Sequence, residues 1–311
     1  MISPARLRQI LRAAAVILSA AVVIALVQSI RRDGPAALAA WRNAHVRWAW
    51  VALSVVCGAS GHGFFVFGWR RLLKDTGNPV PIWQLVRMFL VSNLGRYLPA
   101  AKAWQMGIVG MMAAEHGLPA GAIAASSLFQ GLVGVGVGVI VLLAAGGSSF
   151  GLSAAWLALP LAGVAALLLL PAFVKASPRM QHLVAERLPV VSSVSSWTMW
   201  NLVWTAAASW ILWGFALHAL GTAVSASTTA SIISYIAAWS GSFLAGLLAI
   251  VSPAGLGARE GAMQAILGNA GVTAGDALIL VIIARMWMTM FDVVPAAAVL
   301  VFRKRRSRTA Q

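Results

Sequence analysis

Acidic residues and cysteine are scarce in this chain. It has 7 Asp and Glu against 23 Lys and Arg, and one cysteine, Cys57, in 311 residues. A single cysteine excludes a disulfide framework, and no Cys/His set with metal-ligand spacing surrounds it. Charged residues make up 10% of the chain, where a soluble domain carries about 25%. With 60% hydrophobic residues and a mean hydropathy of +0.86, a soluble globular protein is excluded. Disorder is excluded too, since it needs low hydrophobicity and high charge. Catalytic signatures are missing: there is no HExxH, no GxSxG and no P-loop. The expectation is a protein that is not an enzyme and that uses no metal or cofactor.

What is present is apolar sequence in long runs. A spanning helix needs about 20 apolar residues. Runs of that kind cover 13–30, 48–68, 121–145, 156–174, 201–220 and 276–302. The first lacks a small-x-small exit and is followed at once by Arg31 and Arg32, so it reads as a span, not a cleaved signal. The net charge of +16 would suggest nucleic acid in a soluble chain. Here the basic residues lie between apolar runs and read as topology signals and contacts to anionic lipid. No nucleic-acid partner is expected.

Loop charge sets the orientation. Arg6, Arg8 and Arg12 place the N-terminus in the cytoplasm, and Arg303, Lys304, Arg305, Arg306 and Arg308 do the same for the C-terminus. The loops with Arg70, Arg71 and Lys74, and with Lys175, Arg179 and Arg187, also belong inside. Arg31, Arg32, Arg42 and Arg47 fall outside and run against the rule. Parity then requires that 82–117 and 230–271 each cross an even number of times. They read as broken hairpins, the first entered from the inside and the second from the outside. The fold expected is all-α: a polytopic membrane bundle of about six spans plus two re-entrant hairpins of opposite orientation, in one domain covering 1–311. Eight simple crossings are the alternative.

Broken, Gly/Pro-interrupted segments at corresponding places in two halves point to a substrate site near the bilayer midplane. The breaks are Leu94-Gly95-Arg96-Tyr97-Leu98-Pro99-Ala100-Ala101-Lys102 and Val251-Ser252-Pro253-Ala254-Gly255-Leu256-Gly257-Ala258-Arg259-Glu260. Irregular backbone at membrane depth needs partners for its polar groups, so it lines a protein-enclosed or wet cavity. Helices starting after Pro99 and after Gly257 aim free N–H groups there. Arg96, Lys102 and Arg259 add full positive charge, which suits an anion such as a lipid phosphate. Glu260 reads as a structural partner for a cation, or as a proton carrier. Arg285 and Asp292 share a face of the last span but sit too far apart for a direct pair. Each is expected to pair with another helix, with Arg87 and Glu115 as candidates.

His62 reads as a packing histidine. Trp41, Trp48, Trp50, Trp69, Trp197 and Trp200 fall at expected membrane borders and read as interfacial anchors. Gly134 and Gly138 form a GxxxG packing face.

The two breaks also resemble a known family. The stretch from Asn93 through Arg96, Tyr97 and Pro99 to Lys102, Ala103, Trp104 and Gln105 is similar to an N-L-x-R-Y-L/I-P-G-K-V/A/I-W-Q segment. Pro253, Gly255, Gly257, Arg259, Glu260 and Gly261 are similar to a P-G/A-G-L/I-G-x-R-E-G/A segment. Both resemble the lysylphosphatidylglycerol synthase transmembrane-region family of flippase-like integral membrane proteins. The first segment departs from the pattern: Ala100 stands where Gly is expected, and one more Ala precedes Lys102. The resemblance implies an inner-membrane protein that moves a lipid or a lipid-linked sugar between leaflets. It implies an anionic phospholipid or a polyprenyl-phosphate-linked sugar as ligand. Lysyl transfer is not implied, because in bifunctional relatives it resides in a soluble C-terminal domain and this sequence ends at Arg303–Gln311. The alternative is a non-catalytic accessory subunit of an envelope-lipid or glycan pathway, with a membrane glycosyltransferase or synthase as partner.

Overall fold

The computed structural model describes residues 46–97, 101–146, 157–179, 181–182, 193–224, 230–249 and 255–309, and positions 31, 35, 38 and 42; for 101–102 and 302–309 it describes the backbone alone. The chain runs in order through α1 (Trp48–Asp75), α2 (Ile82–Asn93), a 3-10 turn (Leu94–Tyr97), α3 (Ala101–Ala114), α4 (Ala120–Gly146) and α5 (Ala158–Ala176). It continues through α6 (Ser196–Val224), α7 (Ile232–Leu248), α8 (Ala258–Asn269) and α9 (Ala274–Thr309). There is no strand among the described residues. Five helices, α1, α4, α5, α6 and α9, are long and apolar enough to cross a bilayer. They match five of the six expected spans; 13–30 lies outside the described residues.

The outer surface of these helices is apolar. Leu53, Leu132, Leu161, Leu169, Phe173 and Met286 are all exposed. In water such a surface would aggregate, while against lipid tails it costs nothing. The molecule is a multi-pass all-α membrane protein, as composition required.

The remaining four helices are too short to cross. They have 12, 14, 17 and 12 residues, or about 18–26 Å at 1.5 Å per residue, against a hydrocarbon core of about 30 Å. They form two pairs, α2 with α3 and α7 with α8, and the members of each pair pack on one another. These pairs occupy the two segments expected to be broken.

Helices α1 and α6 pack along their whole length in opposite directions. The Arg47 N–H at the start of α1 donates to Ala223 O near the end of α6. In the middle, Ser54 Oγ donates to Ala216 O and Ser209 Oγ to Gly61 O, both at 2.8 Å. At the far end Thr198 Oγ1 donates to Asp75 Oδ2. Hydroxyl-to-backbone bonds of this kind hold helices together where hydrophobic burial gives no net drive.

The order long, short, short, long thus occurs twice, as α1–α4 and α6–α9. The number of residues from Pro99 to Gly117 equals that from Pro253 to Gly271. Gly117 and Gly271 end α3 and α8 with positive φ, 67° and 87°. In each turn the next amide reaches back past the helix end, Leu118 N–H to Ala113 O and Val272 N–H to Leu267 O. A long helix then begins three residues on, at Ala120 and at Ala274. In this register Gln105 holds the place in the first half that Arg259 holds in the second.

Candidate functional site: a buried cationic cluster beside an aromatic cavity

The 3-10 turn after α2 and the N-terminus of α8 both face α9. Arg96 Nη1 lies 3.2 Å from Asp292 Oδ2. The Tyr97 hydroxyl donates to the same oxygen at 2.9 Å. Asp292 is 1% exposed, and its Oδ1 has no hydrogen-bond partner among the described residues. Two turns earlier on α9, Arg285 Nη1 lies 3.3 Å from Glu260 Oε1. The expectation that Arg285 and Asp292 pair with other helices is met, but with Glu260 and Arg96. Neither of these two ion pairs includes Arg87 or Glu115.

Glu260 has a second task. It is the third residue of α8, and its Oε2 accepts from the Gly257 N–H. A carboxylate at this position satisfies an amide that the helix leaves open and also suits the positive end of the helix dipole. The N-terminus of α8 is therefore capped from within, and the free positive charge nearby comes from the side chains.

Arg259 supplies it. The residue is 8% exposed, with its guanidinium carbon 5.0 Å from the Phe243 ring centroid and 5.7 Å from that of Trp239. Among the described residues no carboxylate lies within ion-pair distance of it. Its stem packs on glycine backbone: a Cβ at Gly246 would sit 2.4 Å from Arg259 Cγ. A Cβ at Gly255 would sit 2.5 Å from Gly246 Cα, and Gly255 also has φ +67°. Only glycine fits there, for both reasons. Arg259 lies within electrostatic reach of Arg96, Arg285, Glu260 and Asp292. Three guanidinium groups thus share two carboxylates, and Arg259 is the one of the three that forms no ion pair among the described residues.

Beside this cluster lies a cavity of about 130 Å³. Arg96, Asn93, Gln105 and Gln130 supply polar walls, and His62, Phe65, Phe89, Trp69, Trp210, Trp213, Trp239, Phe243 and Trp287 supply aromatic ones. Trp239 and Met288 also line a smaller void with Arg259, Glu260 and Arg285, so the two spaces share a wall.

The other expected site residues distribute as follows. Gln105 lines the cavity, while its neighbour Trp104 is 51% exposed and is not one of the lining residues. Gly95 lies against the backbone of Trp104 and Gln105, where a Cβ would come within 3.0 Å of the Gln105 nitrogen. Gly257 forms the left-handed N-cap of α8 with φ +82°. Lys102 lies in the first turn of α3, and its side chain is outside the described residues, as are Pro99 and Pro253. Arg87 has Nε and Nη2 buried with no hydrogen-bond partner among the described residues. Glu115 closes α3 just before the Gly117 turn.

Two readings of single residues change. Trp69 is not an interfacial anchor: it is 2% exposed, donates to Ser126 Oγ at 2.9 Å and lines the cavity. Trp48, Trp197 and Trp200 are exposed at helix ends, as anchors would be, and Trp41 lies outside the described residues. Gly134 and Gly138 are a packing face, but they receive aromatic rings, Phe65 and Trp210, not another helix backbone. His62 is a packing histidine that also lines the cavity, with Nδ1 2.9 Å from Gly58 O.

The cavity tryptophans escaped the sequence reading. Trp210 and Trp213 lie mid-span, where an interfacial role fails, and that position was the available signal. Gly58 and Gly61 on α1 leave room for Trp287 and Trp213. No group of three or more His, Cys, Asp or Glu that could hold a metal occurs among the described residues.

Fold and site define a polytopic helical membrane protein with a buried cationic cluster between two pairs of short helices. The family model for the lysylphosphatidylglycerol synthase TM region matches residues 11–296. The chain belongs to that family. No curated protein matches the sequence.

Proposed function

We propose that the protein is a lipid translocase that holds an anionic headgroup at Arg259, and that it is not an enzyme. One observation carries this reading: Arg259 is a buried guanidinium with no carboxylate within ion-pair distance among the described residues. An unpaired charge in a low-dielectric site is costly, and a phosphate oxyanion offers the bidentate geometry that a guanidinium matches. The aromatic faces of Trp239 and Phe243 hold the group in place while leaving its in-plane donors open.

The opposite directions of α1 and α6, and the matching short pairs that follow them, support two inverted halves. In that arrangement α2–α3 opens to one side of the membrane and α7–α8 to the other. The headgroup would pass between them while the lipid tails stay in the bilayer. Arg96–Asp292 and Glu260–Arg285 tie each short pair to α9, so one pair opens when its tie breaks. The location is the inner membrane, with both termini cytoplasmic.

The test is leaflet exchange in proteoliposomes with a short-chain fluorescent phosphatidylglycerol. Wild type is expected to expose the probe to an impermeant quencher, and a folded Arg259→Gln variant to lose most of that rate. Exchange unaffected by Arg259→Gln would sink the site assignment. No exchange by wild type would favour the accessory-subunit reading.

A further inference from the structure

The two ties to α9 differ in what they leave behind when they break. Asp292 receives Arg96 Nη1 and the Tyr97 hydroxyl on one oxygen, Oδ2. Both groups come from adjacent residues of the 3-10 turn, so a movement of α2–α3 removes the two together. The carboxylate is 1% exposed, and its Oδ1 has no hydrogen-bond partner among the described residues. The other tie breaks without stranding a charge. Glu260 Oε2 keeps the Gly257 N–H, which belongs to the same short pair and moves with it. Arg285 stays on α9 with a side chain 20% exposed, so water reaches it.

A buried carboxylate with no counter-charge is too costly to persist and neutralises by taking a proton. Opening of α2–α3 is the step that binds one. The entering water brings a hydronium ion, which forms an O–H bond at Asp292 and is left as water. Closing reverses the transfer, because a returning guanidinium favours the carboxylate.

Other titratable and charged groups surround Asp292. Helix α8 brings Arg259 and Glu260, and α9 itself brings Arg285. Helices α2 and α6 also pack on α9 and carry Arg87 and His218. Helix α1 brings His62, whose ring stacks on Phe291 and lies within electrostatic reach of both Arg96 and Asp292. His62 is the competing sensor, since histidine is the side chain that ordinarily titrates near neutral pH. Its hydrogen bond stays within α1, however: Nδ1 lies 2.9 Å from Gly58 O, and a carbonyl only accepts, so Nδ1 donates. That bond holds no part of α2–α3.

We propose that Asp292 is a proton-binding gate residue: α2–α3 opens when Asp292 takes a proton and shuts when Arg96 pairs with it again. This deepens the translocase reading and rests on its moving short pairs. The open state holds one proton more than the closed one, so falling pH favours it.

The experiment reads the gate without any lipid substrate. The full-length protein carries Cys57→Ala and Ser127→Cys, the latter in the cavity wall on α4. Labelling by an impermeant maleimide is followed in inside-out membrane vesicles. Lys74→Cys, at the exposed end of α1, is the reference in the same background, and dividing by it cancels the ionisation of the thiol. The ratio is expected to rise as pH falls, by up to about tenfold per pH unit, the limit for one proton. Asp292→Asn is expected to hold the ratio high and flat. Tyr97→Phe removes one of the two holds on the carboxylate, so its rise should begin at higher pH. His62→Gln and Glu260→Gln should keep the wild-type slope, whatever their basal labelling. A flat wild-type ratio would overturn the proposal, and so would a slope that survives Asp292→Asn. Loss of the slope in His62→Gln or Glu260→Gln would overturn it too, by moving the sensor there. Thermal unfolding checks each variant. If Asp292→Asn does not fold, the wild-type slope and the direction of the Tyr97→Phe shift decide. Leaflet exchange is scored separately: a pH-dependent gate without lipid exchange would overturn the translocase reading and leave the gate standing.

Discussion

Arg285 and Asp292 lie two turns apart on α9, and each closes an ion pair with a different short-helix pair. Arg285 meets Glu260 of α8, and Asp292 meets Arg96 of the turn after α2. One long helix thus clamps both broken segments. The two partners of the second pair are unequal: Asp292 is fully buried, whereas the Arg96 side chain is 21% exposed. Removing Arg96 strands a buried carboxylate, and removing Asp292 leaves a guanidinium that reaches water.

Arg96→Leu should therefore destabilise more than Asp292→Leu, with a cost up to about 3–5 kcal/mol. The double variant should recover part of that loss. Thermal unfolding of the purified proteins measures it, and strictly additive effects would refute the coupling.

Gly246→Ala should act on Arg259 without touching a charge. The new methyl would press on the Arg259 stem, so affinity for a lipid phosphate should fall about tenfold. Gly268→Ala, where a Cβ meets nothing within 4 Å, should bind as wild type does. Equal affinity in the two variants would show that the Arg259 position is not what the site depends on.

Trp210→Ala should cost about 3–5 kcal/mol by opening a core cavity. The ring fills the space over Gly138 and its N–H serves Gly134 O. Trp210→Phe should cost less, since it keeps most of the packing and loses the bond. A stability loss for Trp210→Phe as large as for Trp210→Ala would show that the bond, not the packing, dominates.

Membrane sidedness separates hairpins from simple crossings. Replacing Cys57 with Ala gives a cysteine-free background, and His116→Cys then places one thiol at the end of α3. If α2–α3 is a hairpin from the inside, an impermeant maleimide should label it only from the cytoplasmic face. Labelling from the outside would establish eight simple crossings. Asn269→Cys, at the exposed end of α8, should label from the outside and serves as the control.

The breaks were legible because their composition is unusual for apolar sequence. Proline, glycine and cations at membrane depth make continuous helix costly, and α2–α3 and α7–α8 are short for that reason. Arg259 was legible for the same cause: a cation next to a helix start has few uses in lipid. Its lack of a partner was not. Glu260 is its neighbour in sequence, yet Glu260 turns to Arg285 and to the Gly257 amide, because successive helical residues face different directions.

Apolar run length by itself determined that this protein lives in a membrane and that its long elements are helices. A backbone without water must satisfy its own hydrogen bonds, so hydropathy alone decides that much. Only the tertiary structure decided which charges pair and which tryptophans share a cavity. Asn93 on α2, Trp213 on α6, Trp239 on α7 and Trp287 on α9 come from four helices. Their meeting depends on how glycines such as Gly58 and Gly61 let rings approach α1, and close packing of that kind is a property of facing surfaces, not of any one segment.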